Sequence, residues 1–340
     1  MMINGLFDAD NRLKELSKSG DPLERINKTV DWEIFRPRLE VIHEKERKSN
    51  AGRKAYNVVL MFKILILQSL YNVSDDSLEY QIKDRLSFMR FLGLELADDV
   101  PDAKTIWLFR EQLKSAGLVK ELFKEFDRYL TRQGFNARKG QIIDATIVSV
   151  PMQRNSREEN QQIKNGDVPK DWSQEKQRQK DTEARWVTKY GADEFGYKNN
   201  VNVDAGYKLI RQYTVTDAAT HDSQMFGELL DDDNSSADVW ADSAYYSKDT
   251  LALLEEQGYR EHINRKGFRY KPLSECQRRA NRRRSKIRCR IEHVFGMQTK
   301  ITKDTIIRTV GRLRVAVKIG LRNIAYNIWR MTAILRIAAG

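Results

Sequence analysis

The chain has 340 residues, enough for two compact domains or for one large domain carrying an insertion, and its 40% apolar content is ordinary for a globular protein. Formal charge is +12, and residues 261–300 alone hold thirteen Lys or Arg against three Glu, so the basicity is local. Cys276 and Cys289, with twelve residues between them, fit neither a disulfide framework nor a paired Cys-x-x-Cys metal site, and no start of the leader type or long apolar run is present, so a reducing cytoplasm and no membrane are expected.

Residues 54–134 read as successive helices. Val58, Phe62, Leu65 and Ser69 or Leu70 keep helical spacing; Ser74 or Asp76 then opens a second helix that carries Leu78, Ile82 and Leu86. Gly93 and the ADDVPD stretch separate a third helix, Thr105 to Ser115, and Gly117 a fourth, Leu118 to Arg132, with Leu122, Phe123, Phe126 and Leu130 as its apolar stripe. This all-helical N-terminal domain, residues 1–134, is expected to bind DNA or to dimerise. Its short breaks allow a helix-turn-helix with Lys104, Arg110 and Lys114 near a groove, or equally any small bundle.

After Gly134 the grammar changes. QIIDATIVSV, residues 141–150, is dense in β-branched residues and reads as a buried strand. A polar tract, 153–189, follows as an excursion between strands, and YKNNVNVDAGYKLIRQYTVTDA reads as a hairpin turning at Asp204, Ala205 and Gly206. ADVWAD (237–242) is a further strand, Ser247 to Gln257 a helix, and YREHIN a short strand. His221 and Asp222 read as a helix cap, and an amphipathic helix, about Leu313 to Ile337, ends the chain. This order predicts an α/β domain over 135–340, a mixed sheet flanked by helices, and ribonuclease-H-like folds share it: three antiparallel strands first, two parallel ones after.

Three carboxylates stand out. Asp144 lies between Ile143 and Ala145 in an apolar strand, where an ionised carboxylate is costly unless paired or bound to metal. Asp242 ends its strand just before SAYYS, where an Asp serves either as a ligand or as a cap. Glu292 follows Arg288 by four residues on one helix face, which suits an ordinary salt bridge as well as a ligand beside a phosphate-facing Arg. Zinc has little support, since His43, His221, His262 and His293 stand far apart, and the glycines form neither a phosphate loop nor a dinucleotide fingerprint. The basic window, with Arg278, Arg279, Arg282, Arg283, Arg284, Lys286 and Arg290, is suited to phosphate backbone or else is a solvated charged face.

IIDAT around Asp144, WADSAYYS around Asp242, R-x-x-x-E at Arg288 to Glu292, YGADEFGYKNNVNVD and VTDAATHDS together resemble the DDE transposases of bacterial insertion sequences, specifically the IS-five type. LEYQIKDRLSFMRFLGL and VPDAKTIWLFREQL resemble the helical domain that precedes the catalytic core there, so the likeness runs from about residue 50 to the C-terminus. In the related signature a Tyr stands three positions before the Arg and a Lys seven after the Glu; here those places hold Ser285 and Thr299, with Lys300 one residue late. The spacings of 98 and 50 residues leave no room for a large domain inserted before Glu292.

The resemblance implies a transposase in which Asp144, Asp242 and Glu292 hold Mg²⁺ or Mn²⁺, two ions in all, Asp144 bridging them and Arg288 assisting at the phosphate. Hard oxygen ligands select such ions, and two of them stabilise the entering and leaving oxygens of a phosphodiester. Its partners would be double-stranded DNA, at terminal inverted repeats and at the target, and a second copy of the chain in a homodimer. A ribonuclease-H-like nuclease without strand transfer, or a non-enzymatic DNA-binding protein, are the alternative readings.

Overall fold

The computed structural model describes residues 7–43, 54–189, 191–302 and 306–339. Met1 to Leu6 of the N-terminal segment and Tyr190 of the YGADEFGYKNN motif lie outside them. The chain separates into two compact units: Met1–Arg132 with Gly320–Gly340, and Gln133–Ile319.

In the first unit, α1 (Asp8–Lys18), α2 (Pro22–Thr29) and α3 (Arg36–Glu40) precede α4 (Val58–Tyr71), α5 (Asp75–Asp84), α6 (Leu86–Leu92), α7 (Ala103–Ser115) and α8 (Leu118–Arg132). The first three were not foreseen. Helix α4 is buried nearly all round, Lys63 included, which is why its apolar residues show little amphipathic rhythm. Ser74 caps α5 by accepting from the Ser77 amide, as its sequence suggests. The expected second helix does not run on to Leu86, because Arg85 takes an extended conformation and Leu86 starts α6. No single described helix is long and apolar enough to cross a membrane; α4 and α5 reach the threshold only as a pair bent by 101°.

The second unit is built on β1 (Gln141–Ser149), β2 (Arg185–Lys189), β3 (Ala192–Asp204), β4 (Ile210–Asp217), β5 (Asp238–Ala241) and β6 (Arg260–Ile263). β1 pairs antiparallel with β3, which pairs antiparallel with β4, while β5 and β6 run parallel to β1 on its other side. The order β4-β3-β1-β5-β6 is the ribonuclease-H-like arrangement, and β2 extends it along the first five residues of β3. The hairpin turns where expected, but Lys208, not Gly206, takes the left-handed backbone at φ 61°.

The polar tract is more ordered than an excursion. It carries α9 (Arg157–Lys164), opened by a Ser156–Glu159 capping box, α10 (Gln174–Gln179) and strand β2. Trp172 packs inside it, donating to Glu159 at 2.6 Å. Asp181 ties the tract down by accepting from the Tyr197 hydroxyl (2.7 Å) and the Gly311 amide (3.0 Å). The remaining helices are α11 (Lys248–Glu256), α12 (Glu275–Arg288), α13 (Arg290–Thr302) and α14 (Arg312–Ala339).

Two apolar clusters fix the register of the sheet. Ile143, Val239, Ala241, Tyr245 and Leu254 form one, and Val148, Phe195, Tyr197, Val315 and Ile319 belong to the other. Successive strand side chains point to opposite faces, so a one-residue slip of β1 would put Asp144 in place of Ile143 inside the first cluster. Burying one such aliphatic side chain is worth about 1.5–3 kcal/mol, so exchanging it for a carboxylate is strongly disfavoured and the position of Asp144 is well specified.

Candidate active site

Ile143 of β1 pairs with Ala241 of β5, so the next residues, Asp144 within β1 and Asp242 just past the end of β5, come side by side on two adjacent parallel strands. Parallel strands present equivalent positions at the same level, and this is how residues 98 positions apart in sequence come together. Asp242 also performs the cap role that its position allows: its Oδ1 accepts from the Ser243 amide at 2.6 Å and opens a turn of 3-10 helix, Ser243–Tyr245.

Asp144 accepts from the Ala145 amide at Oδ1 (2.8 Å) and from Arg288 Nη1 at Oδ2 (3.0 Å). Both side chains of this ion pair are 19% exposed. Burial raises the Asp144 carboxyl to about 6; the Ala145 amide and the Arg288 guanidinium work against that rise, and the nearby Asp242 charge adds to it. Arg288 holds Glu292 as well, donating from Nη2 to Oε1 at 3.2 Å, while Glu292 itself is 63% exposed. The expected i,i+4 pair therefore exists, although the helix breaks at Cys289 between α12 and α13.

The donor set suits a hard divalent cation, since its members are carboxylate oxygens and the Asp144 carboxylate is drawn out of water beside another acid. Among the described residues, however, no three His, Cys, Asp or Glu side chains stand together so as to hold a metal ion. The Arg288 guanidinium lies between Asp144 and Glu292. Two carboxylates are thus brought together directly, and the third is linked to them through Arg288. The Nε of Arg288 is buried with no hydrogen-bond partner.

One neighbour was not singled out in the sequence, and another was read there only as part of a cap. The Tyr245 hydroxyl is buried without a partner; burial first, then the Asp144, Asp222 and Asp242 charges, push it well above its usual range. Asp222 does follow a cap, His221 accepting from the Ser223 amide, but it also pairs with Lys198 at 2.7 Å. A Lys within a strand rich in Asn was the available signal, because a half-buried ammonium needs a partner.

Helix α12 carries six of the seven basic candidates and separates them by face, while Arg290 opens α13. Asn281, Arg284, Ser285 and Arg288 point inward: Asn281 exchanges hydrogen bonds with the Arg265 backbone, Ser285 accepts from Asn264, and Arg284 lies 3.8 Å from Glu261. Ser285, where the related signature has Tyr, thus serves to dock the helix. Arg279, Arg282, Arg283 and Lys286 are exposed, with no ion pair among the described residues. Arg278 is exposed but donates to the Leu273 carbonyl, and Arg290 donates to Ala205 O at 2.7 Å. Lys300 is exposed on α13. In the first unit, Arg110 is not available to a groove: it is buried against Asp75 and Gln68, and Lys114 pairs with Glu111.

A mixed sheet in the ribonuclease-H-like order, with one carboxylate within its central strand β1 and another just past the end of the adjacent β5, fits a class of metal-dependent nucleic-acid enzymes. The family described as transposase DDE domain matches residues 136–328, and the transposase domain of the type DUF772 matches residues 11–112. The chain belongs to the DDE transposase family, whose chemistry cuts and joins DNA and depends on divalent metal. Among solved structures it is similar to a chain in a cryo-EM structure of the piggyBac transposase synaptic complex with hairpin DNA, at 13% identity and a TM-score of 0.47, over 94% of this chain and 76% of that one.

Proposed function

We propose that Asp144, Asp242 and Glu292 are the metal-holding carboxylates of an insertion-sequence transposase of the IS-five type. The observation that carries this reading is the register: Asp144 and Asp242 follow the paired residues Ile143 and Ala241, so two hard-oxygen donors meet without a coincidence of loops. Two Mg²⁺ or Mn²⁺ ions, when bound, would activate the attacking oxygen and neutralise charge on the leaving one. Asp144 would serve both ions, and Asp242 and Glu292 one each. Glu292, exposed and held only through Arg288, would turn inward as Arg288 moves from Asp144 to a phosphate oxygen.

The exposed cations of α12 would track the backbone of double-stranded DNA, at the element's terminal inverted repeats and at the target. Two ends must be joined in one event, which fits a homodimer. The chain is read as working without a membrane and in the cytoplasm. A precut element end carrying a 3′-hydroxyl, incubated with Mg²⁺ and a supercoiled target, tests this reading. Transfer of the labelled end into the target is expected. Hydrolysis with no joined product would favour a nuclease, and binding without either product a non-enzymatic DNA-binding protein.

A further inference from the structure

Lys198 stands inside the sheet, opposite Ile147 of β1 on one side and Thr216 of β4 on the other. Directly opposed residues share a face and side chains alternate along a strand, so Lys198 lies on the face of Ile143 and behind that of Asp144. There it donates to the Thr220 carbonyl and pairs with Asp222 Oδ1, both at 2.7 Å, its side chain only 12% exposed. An ammonium so far withdrawn from water is costly unless acceptors hold it, and both acceptors belong to one segment, the connection that follows β4. Asp217 closes the start of that connection, accepting from the Ala219 and Thr220 amides and from the Thr220 hydroxyl. The segment is thereby clamped to the sheet at two points.

What the clamp seats is Phe226. The turn of 3-10 helix Asp222–Met225 runs straight into it, and its ring lies 5.5 Å from that of Tyr245, both rings buried in the apolar cluster around Ile143. Tyr245 in turn ends the 3-10 turn that Asp242 opens, donating its amide to the Asp242 carbonyl at 3.1 Å. Strand β5 stops at Ala241, so sheet pairing holds Asp242 from one side only, and the seat of Tyr245 holds it from the other. Among the described residues the buried Tyr245 hydroxyl has no partner, so packing against Phe226 and its neighbours, and not a hydrogen bond, locates this ring.

We propose that Lys198 and Asp222 are positioning residues for Asp242: the pair seats Phe226, Phe226 seats Tyr245, and the turn between Tyr245 and Asp242 then fixes where that carboxylate meets a divalent cation. This rests on the reading of Asp242 as a metal-holding carboxylate. The test uses the full-length protein, Mn²⁺ alone as the probe, and the double substitution Lys198→Met with Asp222→Asn, which removes both charges and so leaves neither one uncompensated. The double variant is expected to melt close to the wild type and to bind Mn²⁺ about 10–100-fold more weakly by electron paramagnetic resonance, the loss typical of a partner behind a metal ligand. In EDTA its amides from Ser243 to Tyr246 should exchange hydrogen about 10-fold faster, while those of the sheet keep wild-type rates. Leu254→Val, which loosens the same apolar cluster from α11 without touching the pair, should leave both readouts near the wild type. Wild-type Mn²⁺ affinity or wild-type exchange in the double variant, a double variant that does not fold, or an equal shift in Leu254→Val overturns the positioning role alone. Mn²⁺ binding that survives Asp242→Asn, or no binding by the wild type, overturns it together with the metal reading of Asp242.

Discussion

At the scale of single residues, Asp144 shows how far a costly position can be read. An acid between Ile143 and Ala145 announced a need for a partner, and Arg288 meets it from 144 positions away. Identifying Arg288 as the partner of Asp144 needed the fold, because in sequence its visible companion is Glu292. Burial raises the Asp144 carboxyl from an ordinary 3.8 to about 6, so the folded chain holds this proton more tightly than the unfolded one. Stability is therefore expected to fall as pH rises from about 4 to about 6, with the full penalty present above that window. In EDTA, Asp144→Asn should melt higher than the wild type at pH 7, by no more than about 3 kcal/mol at 1.36 kcal/mol per pKa unit, and the two should converge near pH 4. Thermal melts across that range check it; a difference that does not vary with pH counts against the burial argument. Lys63 has the opposite sign. Burial lowers it to about 8, so below that pH the folded state must carry a desolvated ammonium whose cost is eased by the Trp32 and Phe91 rings. Lys63→Met is expected to stabilise the protein at pH 7 by about 1–3 kcal/mol and to remove the gain in stability between pH 8 and 10.5. Urea titrations at pH 7 and pH 10 measure both.

At the scale of elements, the strands were legible because apolar and β-branched residues cluster in them, and β1, β5 and β6 lie within a residue or two of their expected bounds. The short β2 was hidden in polar sequence, since Arg185–Lys189 is an edge segment with only Trp186 and Val187 as sizeable apolar groups. Helix α12 was legible as basic but not as two-faced. Its cations look alike in sequence, and only docking assigns Arg284 to Glu261 while leaving Arg282 and Arg283 in water. Arg282→Gln with Arg283→Gln is expected to lower the slope of log K against log salt by about 1.8, from roughly 0.9 per phosphate contact, on every DNA sequence. Arg284→Gln alone should change the slope little. Fluorescence anisotropy at several salt concentrations separates these outcomes, and equal effects would place Arg284 on DNA as well.

At the scale of the whole molecule, strand order and direction were inferred from the succession of elements, and the observed order β4-β3-β1-β5-β6 agrees with it. The site was legible in part: the two aspartates meet as the topology requires, whereas Glu292, on a helix outside the sheet, is connected only through a side chain whose partner no spacing reveals. Substitution of a metal-holding carboxylate is expected to cost more than the ~10–100-fold loss typical of an outer-shell partner. The most direct measurement is Mg²⁺-dependent cleavage of labelled element-end DNA by the wild type and by Asp242→Asn, with DNA affinity recorded in parallel. Cleavage reduced by well over ~100-fold at unchanged affinity is the result expected of a metal-holding Asp242; cleavage at the wild-type rate would contradict it.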